Sequence, residues 1–224
     1  MTRVRPFRAL RYDPARVDLG RGVVPPYDVI AAADRDAVYD RDPHNAIRLE
    51  LTRNVADEAG ADYSEVRETL SSWQSEGVLA HDEEPSLYAL RQTFSAPEGG
   101  EHTREGFFAL LHLEDYEARI VRPHERTLAG PKADRLKMLK ATQANLSVVF
   151  LLYEDHDQEL AGVLSGAFES DELGVAQDQT GAVHELARVS DGAAAEKIRD
   201  FLSRQAVVIA DGHHRYETAL KYRD

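Results

Sequence analysis

Apolar residues recur along this chain with two alternating periods, and the alternation predicts its elements. Tyr63, Val66, Leu70 and Trp73 fall three to four residues apart, one stripe of a helix. Asp62 and Glu65 are placed to form its capping box and Gly77 to stop it; Trp73 on that stripe reads as core. The same spacing predicts helices over Ala32–Tyr39, from Pro131 to about Ala144, over Asp157–Phe168 and over Ala193–Leu202. Between them lie short apolar and β-branched runs that read as strands: 5–12, 46–51, 87–94, 106–113, 148–153, 175–177, 182–189 and 207–209. The runs 148–153 and 207–209 have the composition of buried strands. Pro97-Glu-Gly-Gly100 and Gln179-Thr-Gly181 mark two hairpins, which argue against a purely parallel sheet. The expected fold is therefore α+β: a mixed sheet with interleaved helices and hairpins. One compact unit, or two interlocked lobes with an anion site between them, both fit this order. The last helical segment has run about three turns when the chain stops uncapped at Asp224, so the sequence is expected to be the N-terminal part of a longer protein.

The final strand carries the most telling chemistry. Val207-Val-Ile-Ala-Asp-Gly-His-His-Arg-Tyr216 runs from an apolar strand through Asp211-Gly212 into a segment where Tyr216, Ala219 and Leu220 resume helical spacing. In a strand–glycine–helix turn, free backbone N–H groups at the helix start face an anion. Gly212 lets a phosphate approach the backbone without a Cβ in the way. His213, His214 and Arg215 would add side-chain donors, arginine being suited to bidentate contact. Asp211 at the strand end is placed to orient a histidine or to hold a divalent metal. The alternative is an ordinary turn whose histidines are polar surface.

Composition narrows the chemistry. The chain has 224 residues and no cysteine, which excludes disulfides, thiolate metal sites and thiol catalysis. No run approaches the roughly 18 apolar residues of a membrane span, and the N-terminus lacks the apolar core of a signal peptide, so a cytoplasmic protein is expected. A net charge of −13 disfavours nucleic acid as a partner. The 27 basic residues are 22 Arg and 5 Lys, a lysine-poor, acid-rich balance that suits a salty interior.

The charge is unevenly spread. Between Arg119 and Lys140 seven basic residues face two acids, so this window is +5 and the rest of the chain −18. Such an island reads as a focused anion site, against the plainer reading of chance clustering. Within it, Arg122, Lys132 and Arg135 are candidate phosphate contacts, as is the Thr127 hydroxyl. His124 and Glu125 are neighbours able to act as proton acceptor and orienter, unless Glu125 only pairs with Arg122 or Arg126. Asp28 follows the rigid Pro25-Pro26-Tyr27 turn, a stiff mount for a general base; an N-cap for the next helix is the alternative.

Five segments occur in order: Pro25-Pro-Tyr-Asp-Val-Ile30, Asn45-Ala-Ile-Arg-Leu-Glu50, Arg122-Pro-His-Glu-Arg-Thr127, Gly130-Pro-Lys-Ala-Asp-Arg-Leu136 and Asp211-Gly-His-His-Arg-Tyr216. Together they resemble the uncharacterised bacterial and archaeal family known as domain of unknown function 1015, over essentially the whole chain. Asp211–Arg215 alone also resembles the nucleotide-binding signature of the ParB/sulfiredoxin superfamily, which includes nucleotide-gated clamps and a free-serine kinase. This second resemblance covers about ten residues and implies a ParB/sulfiredoxin-like element at the C-terminal end, with ATP or ADP as ligand and Mg2+ as its counter-cation. Sulfiredoxin chemistry itself is excluded, because the chain has no cysteine. Three functions follow: a phosphotransfer enzyme (a small-metabolite kinase or phosphohydrolase), a nucleotide-gated switch without turnover, and a metal hydrolase built on Asp211, His213, His214 and His124. The first is expected, with Asp28, His124 and Glu125 as catalytic candidates.

Overall fold

The computed structural model describes residues 1–53, 63–125 and 129–224. The expected strand 5–12 is two strands, β1 (Val4–Arg5) and β2 (Leu10–Tyr12), interrupted after Pro6, which has no N–H to donate. The turn α1 (Leu19–Gly22) is capped by Asp18, whose carboxylate accepts from Gly20 N and Arg21 N. A 3-10 turn at Tyr27–Val29 leads to α2 (Ala32–Tyr39), whose N-cap position is Ala31. A correction follows at α3 (Ile47–Glu50), which is helical where a strand was expected. Fully buried Asn45 accepts the Ile47 N–H through its side chain at 3.0 Å, a local bond that competes with extended backbone.

Helix α4 (Ser64–Ser75) buries Val66, Leu70 and Trp73 as the stripe requires, and Gly77 follows it at φ 73°. Asp62, the expected capping residue, lies outside the described residues. Then come β3 (Leu79–His81), β4 (Leu87–Ser95), β5 (Glu101–Phe108), β6 (Leu110–Leu111), β7 (Val121–Arg122) and α5 (Ala129–Thr142). The chain continues through β8 (Phe150–Leu152), α6 (Ala161–Ser170), β9 (Glu172–Gln177), β10 (Val183–Val189), α7 (Gly192–Ser203), β11 (Val207–Asp211) and α8 (His213–Arg223). The class is α+β, with antiparallel and mixed sheets.

These elements divide into two compact units. One comprises Met1–Val23, Leu79–His112 and Glu154–Gln205. Its centre is the antiparallel sheet β5-β4-β10-β9, in which both expected hairpins form and pair through Leu90 opposite Leu186. Helix α6 packs on this sheet and buries Leu164 and Ala167. Asp82 is buried here; its carboxylate accepts from Arg11, Arg188 and the Tyr88 hydroxyl. Burial works against ionisation, yet these hydrogen bonds and the charges of Arg11 and Arg188 hold its carboxyl down to about 2.

The other unit comprises Val24–Val78, Leu113–Tyr153 and Ala206–Asp224. Its sheet is mixed, in the order β7-β11-β8: β11 is central, parallel to β7 and antiparallel to β8. Helices pack in series, α2 on α3, α3 on α4, α4 on α5 and α5 on α8. Ile47, Val66, Trp73, Val121, Ile209 and Tyr216 are among its buried residues. The expectation of a buried strand at 148–153 is corrected: β8 is an edge strand, and Leu152 is 51% exposed opposite exposed Val208.

Candidate functional site

Every described sequence candidate falls in the unit built on β7-β11-β8. At its centre β11 ends at Asp211 and α8 begins at His213, with Gly212 between them at φ 90°, ψ 30°. This left-handed conformation lets the chain reverse from strand to helix within one residue. Tyr216, 1% exposed, anchors the helix: its hydroxyl donates to the Glu114 carbonyl at 2.7 Å and accepts the Glu114 N–H at 3.0 Å. The first turn of α8 therefore presents His213, His214 and Arg215 from a fixed base.

Parallel pairing of β7 beside β11 brings the basic window to this turn. Val121 pairs with Val207 and Arg122 with Val208, so the next residues run toward the start of α8. The His124 Nδ1–H donates to the Ile209 carbonyl at 2.6 Å, which leaves the lone pair of His124 on Nε2. The His124 backbone N–H donates to His213 Nε2 at 3.3 Å. Since that nitrogen accepts, the proton of His213 is on Nδ1, directed at Glu125 Oε1 3.0 Å away. The two imidazoles meet edge to face with centroids 4.5 Å apart. His213 is only 2% exposed, whereas the Glu125 side chain is 56% exposed. Glu125 thus pairs with His213. One ring nitrogen of each histidine and a Glu125 oxygen lie within 4.8 Å of one another, a group able to hold a metal ion.

The other residues of the turn are partly committed. Arg215 donates to the Val148 carbonyl and stands 3.4 Å from Asp211 Oδ2, so Asp211 faces an arginine rather than a histidine. His214 is half-buried on the same turn. Arg122 is exposed, its Nε donating to the Arg119 carbonyl at 3.0 Å.

Arg135 belongs to a second cluster. Its guanidinium holds Asp134 at 2.8 and 3.2 Å, approaches Glu50 at 3.7 Å and stacks over the Tyr27 ring at 4.2 Å. The Tyr63 hydroxyl donates to Asp134, and the Ser147 hydroxyl to Glu50. Burial and the bond to Asp134 push the Tyr63 hydroxyl well above its usual range. Burial opposes the Arg135 charge, but the bond to Asp134 and the surrounding tyrosines and carboxylate raise it further. Three of the five sequence segments supply this cluster: Tyr27 from the Pro-Pro-Tyr segment, Glu50 from the Asn45 segment, Asp134 and Arg135 from the Gly130 segment. The other two segments supply the His124–Glu125–His213 group. Sequence reasoning missed Tyr27, Glu50, Tyr63 and Asp134 as partners; for the first, second and fourth, membership of those segments was the available signal. Asp28 lies in the 3-10 turn beside Tyr27, and Lys132 in the first turn of α5. Thr127 lies outside the described residues.

An α+β chain with a strand–glycine–helix turn and an imidazole–carboxylate group beside it defines the class. The model of the family described as "Protein of unknown function (DUF1015)" matches residues 4–224, and the chain belongs to that family. No curated protein and no solved structure matches it. Among the described residues, no helix is long and apolar enough to cross a membrane.

Proposed function

We propose that this protein binds a phosphate ester or nucleotide at the Gly212–Arg215 turn and transfers or cleaves a phosphoryl group on a small metabolite. The observation that carries the reading is the parallel β7–β11 pairing, which sets His124 and Glu125 against the first turn of α8. Backbone N–H groups of that turn, with His214 and Arg215, are the expected donors to phosphate oxygens. His124 Nε2 keeps a lone pair because Nδ1–H is bound to Ile209, so it can take the proton of an attacking hydroxyl or water. Glu125 holds His213 in place, and Asp28 is a further base candidate. Phosphoryl transfer is mostly positioning and charge neutralisation, which suits a site with donors on a rigid turn and an acceptor beside it. ATP or ADP is the proposed nucleotide, with Mg2+ on its phosphates. The likeness of Asp211–Arg215 to the ParB/sulfiredoxin signature points the same way, and its serine-kinase member makes a hydroxyl amino acid the first acceptor to try. A net charge of −13 favours a small substrate over nucleic acid, and a cytoplasmic location fits such a role.

Thermal stability measured with ATP, ADP and inorganic phosphate tests binding; a ligand at a hundred times its Kd adds about 2.7 kcal/mol. Incubation with ATP or ADP and pooled metabolites, read by mass spectrometry, tests transfer. No shift with any of these ligands at millimolar concentration would sink the proposal. Tight binding with neither a new ester nor hydrolysis would replace it with a nucleotide-gated switch.

A further inference from the structure

We infer that His124, His213 and Glu125 form a binding site for a divalent transition-metal ion of the Zn2+ or Co2+ type. This goes beyond the phosphate-binding reading and does not rest on it; an ion on His124 takes the Nε2 lone pair, and the base of that reading is then Asp28. Two imidazoles and a carboxylate are the donor set of three-ligand zinc sites, and the chain has no cysteine to supply a softer one. The donors already converge: a nitrogen from each ring and an oxygen of Glu125 lie within 4.8 Å. A tetrahedral ion about 2.1 Å from each donor would want them roughly 3.4 Å apart. A contraction of that order is open to Glu125, whose side chain is 56% exposed.

The tautomers favour an ion as well. His124 directs Nδ1–H at the Ile209 carbonyl at 2.6 Å, and His213 directs Nδ1–H at the Glu125 carboxylate at 3.0 Å. Both rings therefore carry their lone pair on Nε2; the His124 N–H stays fixed on the Ile209 carbonyl, as metal-bound histidines commonly are, while Glu125 leaves the His213 Nδ1–H to become a ligand, a swing its exposure allows. Among the described residues, His213 Nε2 accepts one long 3.3 Å bond, from the His124 N–H, which an ion would displace. His213 is 2% exposed and supplies a fixed point; His124 and Glu125 are exposed and leave the outer coordination positions open to water or substrate. The nitrogen donors distinguish this site from a Mg2+ site, since Mg2+ prefers oxygen ligands and retains its waters.

The test uses the full chain, stripped with a chelator and titrated with Zn2+ against a chromophoric chelator, then with Co2+ followed by visible absorption. One equivalent per chain is expected, with Co2+ bands of nitrogen ligation, and millimolar Mg2+ should not displace Zn2+. His124→Ala and Glu125→Gln should each weaken binding by about tenfold or more. Both residues are exposed, and metal-free melting curves confirm that the variants fold; buried His213 is left intact. Absence of stoichiometric binding at micromolar Zn2+, displacement by millimolar Mg2+, or unchanged affinity in both variants would overturn the assignment. Repeating the phosphate and nucleotide melts on the stripped chain separates failure of the metal site from failure of the phosphate site.

Discussion

Replacing Gly212 by alanine tests the β11–α8 turn most directly. The residue sits at φ 90°, where an L-residue costs roughly 1–2 kcal/mol. The added Cβ would lie 3.3 Å from the Val149 Cα and 3.4 Å from a terminal nitrogen of Arg215. The guanidinium can swing aside, but the Val149 backbone leads directly into β8 and must shift with it. Strain and contact together set the expected loss at about 2 kcal/mol. Gly166→Ala is the matched control. It lies inside α6 with nothing within 4 Å of its Cβ, so the same substitution should stabilise by about 0.5–1 kcal/mol. Thermal melts resolve the pair, because 1 kcal/mol moves Tm by about 2–4 °C for a chain of this length. The nucleotide-induced shift should also shrink in Gly212→Ala. A Gly212→Ala variant that melts at or above the parent, beside a control that behaves, would show that the turn is not left-handed. The phosphate reading would then lose its geometric support.

The remaining predictions concern the buried polar groups. Tyr63→Phe removes the hydroxyl donor of buried Asp134 and should cost about 1–3 kcal/mol in urea unfolding; a change within a few tenths would mean water replaces it at no cost. Asp82 titrates near 2 when folded against an ordinary 3.8, a depressed value whose stabilisation is complete above the unfolded pKa. About 2 kcal/mol should therefore disappear as pH falls from about 3.8 through 2, and Asp82→Asn should remove that part of the acid limb. Asp178, also held near 2, keeps the limb from vanishing entirely. An acid limb identical in Asp82→Asn and parent would refute the assignment.

What the sequence determined was set by short-range physics. The apolar stripe of α4, the two Gly-containing hairpins and the strand–glycine–helix turn at Gly212 depend on neighbours a few residues away, so periodicity and glycine placement found them. The segment 46–51 failed because an apolar run of that length is compatible with either backbone, and the Asn45 side chain decided in favour of a helical turn. The burial of β8 was misjudged because being an edge strand is a property of the sheet, which no window of sequence contains. The site divides in the same way. The residue types at His124, Glu125 and His213 were legible, but their meeting required β7 to pair in parallel with β11 from 85 residues or more away in the chain. Arg135 looked like a free cation in a basic island; burial against Asp134, Glu50 and Tyr27 made it part of a polar core. Charge could be counted along the chain, but which charges neutralise one another depends on distance in space, and tertiary structure alone supplies that.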